Sequence, residues 1–385
     1  MATNNNDKTL NVPHLRFPEF NGEWEKKRIS EFCTLLKGTG ISKDQLSTNG
    51  NPCILYGELY TKYKAEIINE VLSCTELDAN TLVKSKVNDV IIPCSGETAI
   101  DIATARYVPF DDVLLGGDLN ILRSNKVNGS FLAYQLNGKR KYDIARVAQG
   151  VSVVHLYGEH LKNIVISLPV IEEQQKISRL LHLLDERIAT QNKIIEDLKK
   201  LKSAIRKKIF SLLKDEYTKS FEINQLLDYE QPTAYIVAND EYSTDTRLTP
   251  VLTANKGFIL GYTDEKNGIY QKGACIIFDD FTMDAKYVSF PFKVKSSAIK
   301  ILTAKPNVNL RFMFEYLSYW ELKSEEHKRH YISEISPLVI ELPSKEKQNI
   351  IALLMTSLNN KLTIEEKAKI RYEVQKGYLL SQMFI

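Results

Sequence analysis

Long apolar runs are missing from this 385-residue chain; no stretch approaches the roughly 18 consecutive apolar residues that a membrane span needs. Glycine (17) and proline (12) are too sparse for a collagen-like or low-complexity chain. Cysteine is sparse as well. Cys33, Cys53, Cys74, Cys94 and Cys275 are odd in number, and no two have the close spacing of zinc ligands. That pattern excludes a disulfide framework, fits a reducing compartment and leaves the thiols as small buried hydrophobes. Met1 to Phe20 is rich in Asn, carries Pro13 and Pro18 and lacks a signal-peptide core, so a cytoplasmic location is expected.

Motifs for chemistry are equally scarce. No G-x-x-x-x-G-K-[ST] loop occurs, so ATP hydrolysis is not expected. Gly38, Gly40, Gly57, Gly96, Gly116 and Gly117 form no dinucleotide fingerprint, and the Asn/Asp-Pro-Pro-aromatic sequence of adenine methyltransferases is absent. His327 and His330 flank Lys328 and Arg329, which reads as a basic surface rather than a metal site. Asp279-Asp280 and Glu25-x-Lys27 can be forced into a nuclease pattern, but such matches are common by chance in a charged chain. Ser95-Gly96-Glu97 lacks the flanks of a nucleophile elbow, and His155 sits in a strand-like run as a structural histidine.

The formal net charge is only +3, with 43% of residues apolar and 26% charged. Basic residues are concentrated in one stretch: residues 166–214 hold 11 Lys and Arg against 6 Asp and Glu. Residues 215–339 lean the other way, with 14 against 18. A stand-alone DNA binder is usually more basic. Either the chain binds no nucleic acid, or partners supply much of the phosphate contact.

What the chain does contain is a repeat. Ile166-Ser167-Leu168-Pro169, then Glu172, Gln174, Ile177, Leu180 and Leu184, returns as Ile340-Glu341-Leu342-Pro343, Glu346, Gln348, Ile351, Leu354 and Leu358. The offset of 174 holds without a gap and also pairs Lys193 with Lys367 and Phe210 with Phe384. Upstream the likeness is weaker but ordered: Val90-Ile91-Ile92 echoes Cys275-Ile276-Ile277, and Phe131-Leu132 echoes Phe312-Met313. Each half therefore reads as a variable β-rich unit, a shared strand and a long helix.

The helices carry a heptad seam. In the first it runs through Ile177, Leu181, Leu184, Ile188, Ile195, Leu198, Ile205 and Ile209, interrupted by Gln191 and Lys202. In the second it runs through Ile351, Met355, Leu358, Leu362, Tyr372, Leu379 and Met383, with Glu365, Lys369 and Lys376 between. Polar seam residues cost stability but fix register. About 40 helical residues span about 60 Å. The seam predicts an antiparallel pair within the chain, and binding to a partner's helices is its other outlet.

The expected fold is α+β: two variable domains in a pseudo-twofold internal repeat, joined by two long antiparallel coiled-coil helices. The boundaries are 1–168, 169–214, 215–342 and 343–385. Strands are predicted at Pro52–Tyr56, Val90–Cys94, Val113–Leu122 and Ser152–Tyr157. In the second half they are predicted at Leu248–Thr253, Gly257–Tyr262, Ala274–Phe278, Tyr287–Phe292 and Ile299–Thr303. Helices are predicted over Ser130–Val147 and Asn309–Lys323, with the joint between halves at Leu213–Phe221.

Polar and aromatic side chains cluster at loop positions of both variable units. The first offers Lys37, Thr39, Ser42, Lys43, Tyr56, Ser95, Glu97, Thr98, Lys139, Arg140, Lys141, Gln149 and Ser152. The second offers Arg247, Thr249, Phe281, Thr282, Lys286, Ser296, Ser297 and Lys300, then His327, Lys328, Arg329 and Tyr331. Lys and Arg suit phosphates; Arg, Gln, Ser and Thr suit base edges. Any one of them alone reads as solvated surface. Their concentration in divergent units between near-identical scaffolds is what points to DNA.

At these residues the chain resembles the specificity subunits of type I restriction–modification systems. The resemblance rests on Val12-Pro13-x-Leu15-Arg16-Phe17-Pro18-x-Phe20 with Trp24, on Ala148-Gln149-Gly150-Val151-Ser152-Val153-Val154-His155-Leu156, and on Leu168-Pro169-x-x-Glu172-x-Gln174-x-x-Ile177. Ile276 to Thr282 and Ser296 to Lys300 look like a recurring recognition-domain type. The C-terminal copy departs most, being poorer in apolar seam residues from Ile350 to Ile385. The resemblance implies a non-catalytic DNA-binding subunit whose two target-recognition domains each read half of a bipartite asymmetric site, held apart by the helix pair. It implies two methyltransferase subunits that use S-adenosylmethionine, and restriction subunits that use ATP and Mg, as partners on double-stranded DNA. No cofactor or metal is expected on this chain, and no membrane. The rival readings are a single-chain methyltransferase or nuclease with fused recognition domains, which S-adenosylmethionine binding would reveal, and a scaffold for proteins only, which salt-dependent DNA binding would exclude.

Overall fold

The computed structural model describes residues 10–150, 153–213, 218–253, 257–320 and 330–385. The chain divides into two compact units, Met1–Asn192 with Lys367–Ile385, and Lys193–Glu366. Each long helix, Ile171–Leu212 and Lys345–Gln382, begins in one unit and ends in the other.

In the first unit a four-stranded antiparallel sheet runs in the order Thr34–Lys37, Leu119–Arg123, Asp89–Pro93, Arg106–Val108. Its central strands are nearly all apolar, as strands covered on both faces must be. Glu25–Arg28 pairs antiparallel with Val165–Leu168, the strand that leads into the long helix. A smaller sheet joins Leu46–Ser47, Ser73–Thr75, Asn51–Ile54 and Leu114–Leu115, the last pair parallel.

The second unit repeats the plan. Leu227–Glu230, Ile299–Ala304, Cys275–Asp279 and Ala285–Val288 make the antiparallel sheet in the same order. Lys219–Glu222 pairs with Val339–Leu342, ahead of the second long helix. A three-stranded sheet of Ile259–Thr263, Thr249–Leu252 and Lys293–Val294 again ends on a parallel pair.

The repeated Pro and Gln have a shared geometry. Gln174 Nε2 donates to the Pro169 carbonyl (2.8 Å), while its Oε1 accepts from the Asn128 backbone N–H (3.0 Å). Gln348 does the same with Pro343 (3.0 Å) and Asn309 (2.8 Å). Asn128 and Asn309 in turn cap the helices Gly129–Asn137 and Leu310–Tyr319. One buried amide thus ties the start of each long helix to the cap of the domain helix.

The helices are antiparallel inside each unit. In the first, Arg187 Nε donates to Tyr372 OH (3.2 Å) and Lys376 Nζ to Asp185 (2.5 Å), so one number falls as the other rises. In the second, Lys199 pairs with Glu366, while Arg206 and Asn359 both bond Glu315. Ile177, Leu181, Ile195, Ile351, Met355 and Met383 are buried. Leu184, Ile188, Leu198, Ile205, Ile209, Leu358, Leu362, Tyr372 and Leu379 are half-buried. Near the end of each long helix a phenylalanine enters a core, Phe210 inside the first and Phe384 just past the second. Phe384 meets Phe131 and Trp24 at centroid distances of 5.2 and 6.4 Å, and Phe210 meets Tyr316 and Phe312 at 4.8 and 5.5 Å.

Three expectations change. The helix predicted over Ser130–Val147 is two, Gly129–Asn137 and Lys141–Arg146, because the backbone at Gly138 leaves the helical region. The run Val113–Leu122 splits into Leu114–Leu115 and Leu119–Arg123 around Gly116-Gly117, with Asp118 at φ +58°. The strand expected at Tyr287–Phe292 is Ala285–Val288, and Phe292 turns into the core against Tyr270. The far end of the helix predicted over Asn309–Lys323 and residues 214–217 of the joint at Leu213–Phe221 lie outside the described residues.

Candidate nucleic-acid interface

In the first unit, residues far apart in sequence meet at one end of the four-stranded sheet. Lys37 ends the edge strand opposite Asn120 and is exposed. Ser95–Gly96 pairs with Val154–His155, and Gln149 exchanges backbone bonds with His155 (2.9 and 2.7 Å). Gly150, next to Gln149 in the Ala148–Leu156 motif, sits at φ +126°, a conformation that favours glycine. Tyr60 lies here too. Burial first, then Tyr56, Glu97 and Asp101, push its phenol up. Burial pushes the Cys94 thiol up to about 11; Lys37 pulls against that and Asp118 adds to it.

Several candidates spend their polar groups on the fold. Thr39 Oγ1 accepts from Val83 N–H (2.9 Å), and Ser42 caps the turn Lys43–Gln45. Ser95 Oγ donates to Asp118 (2.9 Å), and Thr98 Oγ1 accepts from Asp101 N–H (3.1 Å). Lys139 is exposed, as is Lys43. Arg140 bonds the Ile385 backbone oxygen (2.9 Å) and Asp143 (3.3 Å). Lys141 is half-buried, its ammonium pushed down by burial and by Arg106. Glu97 and Gln149 remain exposed, as does Tyr157, whose ring stacks on His155 at 6.3 Å. Tyr60 and Tyr157 were not singled out from sequence; their two-residue distance from Glu58 and His155 gives no signal until the loops are folded together.

The second unit sorts its candidates differently. Lys300 is withdrawn from solvent: its Nζ lies 3.3 Å from buried Asp280 and 3.0 Å from Gln231 Oε1. Asp280 also accepts the backbone N–H groups of His330 (3.1 Å) and Tyr331 (2.8 Å). Tyr331 is buried against Phe278 and Tyr229, so it packs rather than contacts a ligand. Thr282 Oγ1 donates to Asp279 (2.6 Å), and that turn leaves Phe281 half-buried. The motif Ile276 to Thr282 is thus a strand end with two carboxylates that fasten loops. Lys286 pairs with Asp284 (2.7 Å), Ser296 is exposed and Ser297 half-buried. Arg247 is exposed and held by Asp245 at 2.7 Å. With Thr249, Ile259, Tyr262 and Phe290 it lines an open groove of about 460 Å³. Ser152, His327, Lys328 and Arg329 lie outside the described residues.

Among the described residues, no group of three or more His, Cys, Asp or Glu side chains could hold a metal ion, and no helix is long and apolar enough to cross a membrane.

These features have counterparts in known proteins. A specificity subunit of an Escherichia coli type I restriction enzyme is 39% identical over 178 residues, 41% of this chain and 43% of that one. The chain thus spans less than half the length of that relative. A putative type I specificity subunit of Methanocaldococcus jannaschii is 24% identical over 97% of this chain and 96% of its own. The crystal structure of a type I restriction–modification S subunit from M. genitalium superposes with a TM-score of 0.69 at 17% identity, covering 97% of this chain and 99% of that one. At that identity the likeness shows the fold. The family model described as the type I restriction modification DNA specificity domain matches residues 21–200 and again 215–374, once on each copy of the plan, and the chain belongs to that family.

Proposed function

We propose that this chain is the non-catalytic, DNA-reading subunit of a type I restriction–modification complex, each unit reading one half of a bipartite, asymmetric duplex site. The observation that carries this is the duplicated plan. The Gln174 and Gln348 locks, the sheets and the helix ends are alike in both units, whereas the loops at the sheet ends differ in sequence and length. A conserved frame with divergent loops suits two different half-sites. The modest charge of +3 fits a chain that shares phosphate contacts with partners.

Methyltransferase subunits, carrying S-adenosylmethionine, dock on the long helices in this reading, and restriction subunits join them with ATP and Mg. The C-terminal helix supports it with apolar side chains outside the seam. In the second unit Ile350, Leu353, Leu354 and Ile364 are 65%, 69%, 43% and 60% exposed. In the first, Ile370, Val374 and Tyr378 recur every fourth residue and are exposed as well. A helix apolar on two faces needs two partners.

The test is to co-express the chain with its methyltransferase subunit and map methylated adenines. One bipartite sequence that disappears when this chain is omitted is expected. A continuous site, or methylation that does not depend on this chain, overturns the proposal.

A further inference from the structure

We infer that Glu97 is a specificity-determining residue of the first unit, accepting a hydrogen bond from the N4 amine of a cytosine in the major groove. This rests on the DNA-reading function proposed above and adds the base that one side chain selects.

The backbone around Glu97 is held on both sides. Gly96, just before it, belongs to the strand bonded to Val154–His155. A Cβ at Gly96 would lie 2.4 Å from Ile102 Cγ2 and 3.7 Å from Tyr60 OH, so a side chain there would force Ile102 to shift. Thr98, just after it, is fixed as the cap of Ala99–Ile102 through Asp101. The Glu97 side chain itself is exposed and makes no hydrogen bond or ion pair among the described residues. It therefore projects between two fixed neighbours, close enough to Tyr60 to help raise that phenol's pKa, with no bond from its carboxylate among the described residues.

The electrostatics then narrow what it can meet. Duplex DNA carries about one negative charge per 1.7 Å of axis, so a carboxylate facing phosphate is repelled. Guanine N7 and O6 and thymine O4 are acceptors and repel it too. Only the amines of cytosine and adenine donate in the major groove. Adenine sets its N7 acceptor beside N6, against the second carboxylate oxygen; cytosine presents the amine alone. On a surface that the proposed function turns toward DNA, such a carboxylate is thus suited to cytosine. The neighbouring hydroxyls of Ser95 and Thr98 are committed to Asp118 and Asp101 and do not compete for the base.

The experiment uses the full chain assembled with its methyltransferase subunit, as wild type, E97A and E97Q, with the methylated-site consensus as readout. The wild type is expected to require cytosine at one position of one half-site. E97A should lose about tenfold or more of the discrimination at that position. E97Q should shift it toward adenine, whose N6 and N7 a glutamine bridges. The other half-site should stay as it is. Since Glu97 is exposed and unbonded, both variants should keep the wild-type thermal midpoint. Unchanged discrimination in E97A, relaxation at a position that is not cytosine, or a lowered midpoint overturns the inference while leaving the DNA-reading function intact. A wild-type complex with no bipartite site overturns that function itself.

Discussion

Gln348 shows how one side chain can hold a domain to its helix. It is 1% exposed, and both ends of its amide are used, on the Pro343 carbonyl and the Asn309 N–H. Gln348→Ala strands both groups in a buried site, at a cost of about 1–3 kcal/mol. For a unit of this size each kcal/mol lowers the melting temperature by about 2–4 °C. A thermal scan is expected to show such a drop, and a midpoint within about 1 °C of wild type would show that the lock contributes nothing. The sequence displayed this glutamine plainly, because a fixed spacing from proline in two copies needs no tertiary knowledge. It did not display the fate of Lys300. A lysine near a loop looks like a phosphate contact, and its burial follows from Asp280 and Gln231, which are distant in sequence.

At the scale of elements, the polar residue Lys376 interrupts the apolar seam and shows why the seam has one register. In the first unit its Nζ reaches Asp185 on the other long helix and Glu66 from the domain, both at 2.5 Å, while Tyr134 OH donates to Asp185 at 2.6 Å. Burial opposes the Lys376 charge, but Glu66 and Asp185 outweigh it and hold its pKa above the usual value. Burial and then Glu66 push Asp185 up, against Lys376 and the Tyr134 hydrogen bond. Removing the ammonium in Lys376→Met leaves two buried carboxylates near Arg106, at a cost of about 3–5 kcal/mol near neutral pH. The variant raises the folded carboxylate pKa further above its unfolded value. Stability from that group is therefore full below the ordinary carboxylate range near about 4 and is lost as pH rises through the folded value. Melting curves of variant and wild type should converge as pH falls from about 8 toward about 5. A constant gap would mean that the carboxylates do not take up a proton. The heptad spacing revealed this seam and its interruptions, since helical periodicity is local. Glu66 and Tyr134 were not legible, because the loops that bring them in have no periodicity. The outer face of the same helix is a separate matter. Leu353→Lys places a charge on a 69% exposed position, so folding should be unaffected while methyltransferase association weakens in a pull-down. Undiminished association would remove that face from the docking surface.

For the whole molecule, the question is whether two copies of one plan make two independent readers. The shared parts were readable in the sequence because the two copies keep one spacing: the 174-residue offset, the strands Val165–Leu168 and Val339–Leu342, and the phenylalanines near each helix end. The reading surfaces were not, because loops such as Ser95–Thr98 and Thr246–Thr249 take their meaning from what folds beside them. That separation leads to a prediction about function. Each unit has its own cores: Phe131 and Tyr134 belong to one, Phe312 and Tyr316 to another. Replacing residues 218–342 with the equivalent segment of a relative, while keeping both long helices, exchanges the second unit's loops. It retains the partners of the helix ends only if Phe312, Glu315 and Tyr316 are kept, since Phe210 and Arg206 pack and bond against them. Such a hybrid should assemble and methylate a site in which one half is new and the other unchanged. The unchanged half should be the one read by the loops around Glu97, so an E97A change introduced into the hybrid should relax a position in that half alone. The readout is again the methylated-site consensus. If the swap altered both half-sites together, or if E97A acted on the new half, the units would not read independently and the duplicated plan would serve something other than a bipartite address.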